Sequence, residues 1–494
     1  MDIFLYGNDY KYAAEQILLM LFPDERPVYP EKPGGDKSVS LTLHEGKIYA
    51  TATCRLVYGG RTVHASARIL SERLRDANER QRLEQRILKF AFYRAALAAG
   101  REKPEWGCLT GVRPAKMLSN LMHRDGLSES EAVRMFTGAF GVSKERASLA
   151  LAAERAAEEA KASLAPEDVC LYIGIPYCPT RCAYCSFVSV DAPKLLKSIP
   201  EYLDALEKEM RAAAAAVKAA GRQIVAVYVG GGTPTTLDAA QLDRLLRDTK
   251  ACFDLSACRE FTVEAGRPDT VTEEKLRVLT EHGVDRVSVN PQTMSDEVLA
   301  AIGRHHTVAQ VREAVDMVKK FPSLAFNMDL IAGLPGDTPE TFAETVREVI
   351  ALGAHNITVH TLALKKGSRF LTEGTALPDG AAVGEMLTAA RSLLEEAGYA
   401  PYYLYRQKFM SGSFENVGWT KPGYRNLYNI CIMEEICGIL AVGAGGSTKL
   451  TAEGGIVQRI MAPKYPREYM ERIEKTCEEK DEIVRFYAER TDRK

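Results

Sequence analysis

The chain has 494 residues, 46% hydrophobic and 26% charged, enough for two or three packed domains, each with its own core. Its 64 basic and 66 acidic residues nearly cancel, which leaves no basic surplus for nucleic acid and no acidic solvating tail. Met1-Asp2-Ile3-Phe4-Leu5-Tyr6 has no positive region ahead of an apolar stretch, and no apolar run of about 18 residues follows, so a cytoplasmic chain without a membrane span is expected.

Residues 1–165 read as an α+β accessory domain. Strand-like alternation runs through Lys37–Val57, around SVSLTL and IYATATCRLVY, and helical spacing of apolar residues follows between Ser71 and Ala99. Trp106–Pro114 is a turn-rich connector in which Thr110 and Arg113 are the polar candidates for an anionic ligand, though a packed loop with a surface arginine explains them better. Val142–Ala162, rich in Ala and Glu, is helical by propensity.

From 166 to 399 a strand-then-helix alternation repeats. Apolar strands are expected at Cys170–Ile175, Ile224–Val229, Phe261–Glu264, Arg286–Val289, Phe326–Ile331 and Ile357–Leu362, with helices such as Glu201–Ala219, Leu237–Cys252 and Pro339–Leu352 between them. Strands with few alternating polar positions, separated by helices, form a parallel sheet covered on its outer face. The fold class is therefore α/β, an incomplete TIM-like (β/α)6 barrel whose chemistry lies at the carboxyl ends of its strands.

Just after the first strand come Cys178, Cys182 and Cys185, spaced C-x3-C-x2-C. Disulfides between residues so close are strained, and three thiolates cannot close a tetrahedral zinc site, but they can hold a 4Fe-4S cube and leave its fourth iron open. The other eight cysteines (Cys54, Cys108, Cys170, Cys252, Cys258, Cys431, Cys437, Cys477) show no comparable grouping and are expected to be reduced, mostly buried thiols.

Gly230-Gly231-Gly232-Thr233-Pro234-Thr235 follows the second strand. Such a loop is often only a turn, but here it sits one β/α unit beyond the cysteines, where bare backbone can meet a ligand and Thr233 adds a hydroxyl. On that view Gly232→Val spares the cysteine clip and weakens ligand binding. Later strand ends carry Glu264, Gln292, Arg304 and Asp329, a set suited to a ligand with ribose hydroxyls, a carboxylate and a sulfonium. Residues 400–494 pass from PYYLYRQK through VGAGGSTK to a charged helical end and read as a C-terminal lobe over the barrel mouth.

The cysteine spacing resembles the radical S-adenosylmethionine (SAM) superfamily. Tyr172-Ile173-Gly174-Ile175-Pro176-Tyr177-Cys178, the GGGTPT loop, the spacing of Gln292 and Arg304 with IGRHH, and DLIAGLPG are similar to the oxygen-independent coproporphyrinogen III oxidase family. YGNDY, LTGVRP and PYYLYRQK with ENVGW resemble its long Firmicutes-type branch, the coproporphyrinogen dehydrogenase-like proteins.

The resemblance implies a 4Fe-4S cluster on Cys178, Cys182 and Cys185. It implies SAM contacts by Tyr172, Tyr184, Gly231, Gly232, Thr233, Glu264, Gln292, Arg304 and Asp329, with Tyr172, Glu264 and Arg304 carrying catalytic roles. It further implies a flavodoxin- or ferredoxin-like electron donor and a 5'-deoxyadenosyl radical. The expected reaction is oxidative decarboxylation of a tetrapyrrole substrate, coproporphyrinogen III, to protoporphyrinogen IX in heme biosynthesis. Arg304, Lys365, Lys366, Arg406 and Lys408 are candidates for pairing with substrate propionates.

The chain departs from the family's oxidases at two positions. Phe187 stands where they carry a further cysteine, and Gly174 where they carry histidine. A heme-chaperone branch also lacks that cysteine and bears a His-Asn-x-x-Tyr heme motif, whose nearest equivalent here is Arg425-Asn426-Leu427-Tyr428. A heme-binding trafficking protein is thus the alternative, and a simple electron-transfer iron-sulfur protein a third, which needs neither the glycine loop nor the polar strand ends.

Overall fold

The structure is a computed structural model that describes residues 1–32, 35–185, 196–364, 368–407, 411–452 and 456–491. It divides into two compact units, Met1–Leu151 and Ala152–Lys494.

In the first unit, strands β1 (Asp2–Tyr6), β2 (Ser38–Glu45), β3 (Tyr49–Tyr58) and β4 (Arg61–Leu70) form one sheet in that order. β1 runs parallel to β2, and the other pairs are antiparallel. Alternation along β3 buries Ala50, Ala52, Cys54 and Leu56, and the helix Ala77–Ala98 packs on β3 and β4 with Leu83, Ile87, Ala91 and Ala95 buried. β4 lies outside the expected strands, although Gly59 and Gly60, both at positive φ between Tyr58 and Arg61, are the hairpin signal that marks it. In the connector, Thr110 Oγ1 accepts a hydrogen bond from Lys89 Nζ at 2.9 Å, so that hydroxyl belongs to a packed loop.

The second unit contains the six expected parallel strands, β5 (Asp168–Ile175), β6 (Gln223–Gly231), β7 (Glu260–Glu264), β8 (Arg286–Ser288), β9 (Ala325–Ala332) and β10 (Asn356–Thr361), paired in sequence order. Their runs of Val, Ile, Leu and Phe are buried because helices cover them. Helix starts are fixed locally: Asp238 with Gln241, and Thr307 with Gln310, form reciprocal capping boxes ahead of Ala239–Cys252 and Val308–Lys319. The helix Ile199–Ala219 buries Tyr202, Leu203, Leu206, Met210, Ala213 and Val217 at helical spacing. Each large apolar side chain so buried contributes about 1.5–3 kcal/mol.

The C-terminal residues 400–494, expected as a lobe over the barrel mouth, contribute strands to the barrel's own sheet. Strands β11 (Ala400–Tyr405), β12 (Asn416–Thr420), β13 (Gly438–Val442), β14 (Ser447–Ala452) and β15 (Ile456–Met461) join the same sheet, in the order β11-β12-β10-β9-β8-β7-β6-β5-β13-β14-β15. β12 runs antiparallel to β10 and β13 parallel to β5, so the segment extends both edges of the six-stranded array. A carboxylate inside the protein ties it down. Glu209, fully buried on the helix Ile199–Ala219, accepts from Gly443 N at 2.7 Å and Tyr469 Oη at 2.5 Å and pairs with Lys480 Nζ at 2.6 Å. Separating the segment from the barrel would strand that charge, so the two behave as one packed body.

Candidate active site

The carboxyl ends of β5 and β6 lie side by side, with Gly174 opposite Gly230 and Ile175 opposite Gly231. Beyond them the cysteine loop and the glycine loop stay bonded: Gly232 N donates to Ile175 O at 2.8 Å and Thr233 N to Tyr177 O at 2.7 Å. Cys178 Sγ lies 3.5 Å from Thr233 Oγ1. At Gly232 an added Cβ would stand 2.5 Å from Tyr177 O, and Gly231 sits at φ 112°, a conformation glycine adopts without strain. These glycines therefore first of all allow one backbone to lie against another.

Further along the clip, Cys185 N donates to Cys182 O at 3.1 Å, closing a turn, and Ala183 N donates to Ile302 O at 2.9 Å. Tyr184 packs beside Val298, Leu299 and Ile302, and its hydroxyl accepts from Arg304 Nη2 at 3.1 Å. Arg304 is buried; its Nη1 donates to Asn290 O at 2.8 Å and Gly266 O at 3.2 Å, bridging the loops after β7 and β8. Gln292 holds φ 71°, a strained left-handed conformation for a side chain of its size, fixed by Gln292 N to Asp329 O and Ile331 N to Gln292 O, each 2.9 Å.

The interior holds a second grouping. Tyr172 stacks with Tyr228 and Tyr428, and the last two rings are 4.4 Å apart at 19°. Tyr228 Oη donates to Glu264 Oε1 at 2.6 Å. Burial pushes the Glu264 carboxyl up to about 7 against that donation, and the Asp329 carboxylate adds to the rise. Burial also raises Asp329, but pairing with His360, 3.8 Å away, and donation from Asn327 at 2.7 Å outweigh it and leave this carboxyl below its ordinary range. One carboxyl poised near neutrality beside one held ionised suits a ligand carrying both an ammonium and hydroxyls.

The structure thus brings Tyr172, Gly231 and Glu264 together, joins Thr233 to Cys178, and joins Tyr184 to Arg304. Gln292 and Asp329 meet through their backbones. Of the propionate candidates, Arg304 and Arg406 are buried, and Arg406 donates through Nε and Nη2 to Ser413 O at 3.2 and 2.7 Å. Lys365, Lys366, Lys408 and Phe187 lie outside the described residues. At Gly174 a Cβ would stand 3.1 Å from Ala444 O, in the turn after β13, so a side chain there requires that turn to give by a few tenths of an ångström.

Sequence reasoning missed Arg267, whose Nη1 lies 4.0 Å from Cys182 Sγ across 85 residues of chain. It also missed a second cysteine group. Cys170, Cys431 and Cys437 place their sulfurs within 4.8 Å of one another in an apolar cluster with Val225, Tyr428 and Ile439, which corrects the expectation of no further grouping. Hydrogen bonding to the two partner sulfurs, together with burial, pushes the Cys170 thiol well above its usual range, as suits a packed neutral thiol.

The residues present fit an iron-sulfur cluster and SAM. The clip stands on a loop beside a guanidinium, and Arg304 Nε is buried with no hydrogen-bond partner among the described residues. The radical SAM superfamily model matches residues 172–349. Over 393 residues the chain is 37% identical to the oxygen-independent coproporphyrinogen-III oxidase-like protein HemZ of Bacillus subtilis, covering 78% of each chain. The chain belongs to this radical SAM family.

Membership in the oxygen-independent coproporphyrinogen III oxidase family brings a 4Fe-4S cluster and SAM as cofactors. The Bacillus relative, matched over most of both chains, fits the long Firmicutes-type branch. The heme chaperone HemW of Haemophilus influenzae is 31% identical, over 63% of this chain and 78% of its own. Coproporphyrinogen III oxidase (HemN) from Escherichia coli shares the fold, with a TM-score of 0.52 at 22% identity over 68% of this chain and 74% of that one. No helix among the described residues is long and apolar enough to cross a membrane.

Proposed function

We propose that the chain is an enzyme of heme biosynthesis that decarboxylates two propionates of coproporphyrinogen III to vinyl groups without oxygen, giving protoporphyrinogen IX. Cys178, Cys182 and Cys185 hold the cluster. When bound, the cluster and SAM supply a carbon radical able to take a hydrogen atom from a propionate side chain; the initiating electron comes from a flavodoxin- or ferredoxin-like donor, and the electron left on the substrate when carbon dioxide departs passes to a one-electron acceptor. The chain's own residues bind and orient. Bare backbone at Gly231 and Gly232, with Thr233 beside Cys178, receives the amino-acid end of SAM, while Glu264 and Asp329 accept hydrogen bonds from its ammonium and ribose hydroxyls. Arg304 and Gln292 fix the strand-end loops, Tyr184 borders the adenine, and the stacked Tyr172, Tyr228 and Tyr428 keep water from the floor of the site.

The observation that carries this reading over heme trafficking is the state of Arg425-Asn426-Leu427-Tyr428. Arg425 pairs with Glu159, Asn426 caps a helix and donates to Thr262 Oγ1 at 3.1 Å, and Tyr428 is 4% exposed inside the tyrosine stack. A permanently charged guanidinium has no lone pair for heme iron, and the other two side chains are committed to the barrel. Anaerobic incubation of reconstituted protein with dithionite, SAM and coproporphyrinogen III is expected to give monovinyl and then divinyl product on chromatography, with one SAM consumed per vinyl group. Stoichiometric heme binding, with SAM cleaved but no vinyl product, would replace this reading by the trafficking one.

The SAM pocket has its own test. Asp329→Ala is expected to keep the iron content and weaken SAM binding about ten- to a hundredfold, the loss of a hydrogen bond to a charged group. Equilibrium dialysis with labelled SAM measures it, and unchanged affinity would move the pocket away from this carboxylate.

A further inference from the structure

Arg267 follows β7 and is only 2% exposed. Its fork is held on two sides. Nε and Nη2 take the Asp269 carboxylate at 3.1 and 3.2 Å, while Nη1 donates to Thr180 Oγ1 at 2.8 Å and faces Cys182 Sγ at 4.0 Å. The carboxylate stands on the far side of the guanidinium, so the positive end of the pair is turned toward the sulfur. Asp269 keeps a quarter of its side chain in water, so its carboxylate does not by itself require a fully buried partner. Burying a guanidinium is expensive unless something buried profits from its charge. The buried group in line with it is the Cys182 sulfur, within the arm that Thr180 anchors.

We propose that Arg267 is a positioning and charge-compensating residue for the cluster: it holds the Thr180–Cys182 arm in place and keeps a fixed positive charge beside the Cys182 thiolate, so that one-electron reduction becomes easier. This rests on the reading of Cys182 as a cluster ligand. In the step concerned, one electron passes from an external one-electron donor to the cluster. No covalent bond forms or breaks, and the charge gained is what the guanidinium stabilises. Lysine cannot reproduce the effect fully, because a point charge cannot grip Asp269 with two parallel bonds while reaching Thr180.

The test compares wild type, Arg267→Met, Arg267→Lys and Asp269→Asn, each reconstituted anaerobically, counted for iron and titrated potentiometrically with electron paramagnetic resonance as the readout. Arg267→Met is expected to lower the reduced-to-oxidised ratio at fixed potential about tenfold, a midpoint about 59 mV more negative for a one-electron couple. Arg267→Lys shifts it in the same direction by less. Asp269→Asn shifts it the other way, because the guanidinium then faces the sulfur without its counter-charge. A residue that only packs the loop would change iron content and leave these midpoints in place, and unmoved midpoints overturn the proposal. Should Arg267→Met fail to retain iron, Asp269→Asn decides alone: a midpoint unchanged or more negative overturns it. Cys182→Ala is read separately. A cluster that survives that change removes the ligand reading, whereas a cysteine-dependent cluster with unmoved midpoints removes only the role of Arg267.

Discussion

Cys178→Ala, Cys182→Ala and Cys185→Ala are each expected to abolish the iron-sulfur absorbance of the reconstituted protein and all reductive cleavage of SAM. Three thiolates must hold three irons of the cube so that the fourth stays open for SAM, and none of the three is redundant. The second cysteine group provides the control. Cys170 lies on β5, only eight residues before Cys178, but its sulfur is fully buried among Cys431, Cys437 and Tyr428 and cannot substitute in the loop. Cys170→Ala is expected to keep the cluster and to lose about 1–2 kcal/mol of stability from the small cavity it leaves. Iron counting and ultraviolet-visible spectra after anaerobic reconstitution measure the first effect, and denaturant unfolding the second. Full cleavage activity in any of the three clip variants would remove the ligand assignment.

Gly232→Val is expected to be nearly as severe, and for a reason the sequence does not contain. Read from the chain alone, the substitution spares the cysteine clip and weakens only ligand binding. In the folded protein a Cβ on Gly232 would meet Tyr177 O at 2.5 Å and Tyr177 N at 2.9 Å, in the residue immediately before Cys178. Backbone cannot turn aside as a flexible side chain does, so the two loops must separate, breaking Gly232 N to Ile175 O and Thr233 N to Tyr177 O. Loss of most reconstituted iron together with SAM binding is the expected outcome. A variant that assembles a full cluster and fails only to bind SAM would return Gly232 to the role of a pure ligand contact.

The barrel was legible in the sequence because each of its strands is buried on both faces, so the apolar runs at Ile224–Val229 or Phe326–Ile331 carry their own signal, and helices between them begin at local caps such as Asp238 with Gln241. The cysteine clip was legible because its ligands fall within eight consecutive residues. Strand ends of a parallel barrel converge by topology alone, which is why Glu264, Gln292, Arg304 and Asp329 read as one set from the sequence.

Tertiary structure decided what depends on partners distant in sequence. PYYLYRQK and VGAGGSTK look like parts of a lobe because an edge strand announces neither which sheet it joins nor on which side; the buried Glu209, reached by Gly443, Tyr469 and Lys480, ties VGAGGSTK down beside β5, while pairing through β12 sets PYYLYRQK on the opposite edge. Tyr428 reads only as the last residue of Arg425-Asn426-Leu427-Tyr428 until its helix, capped by Asn426 and anchored on Glu260, carries it into the stack with Tyr172 and Tyr228. Arg304, read as a ligand contact, spends three of its hydrogen bonds on Tyr184, Gly266 and Asn290, and Arg267, unremarkable in the run AGRPD, is the side chain that reaches Cys182. By itself the sequence determined the repeating α/β units, the thiolate clip and the polar strand ends, because spacing along the chain encodes them. Which guanidinium faces which sulfur, which glycine bears on backbone and where the last strands insert were decided only when the sheet brought residues of distant sequence within a few ångströms of one another.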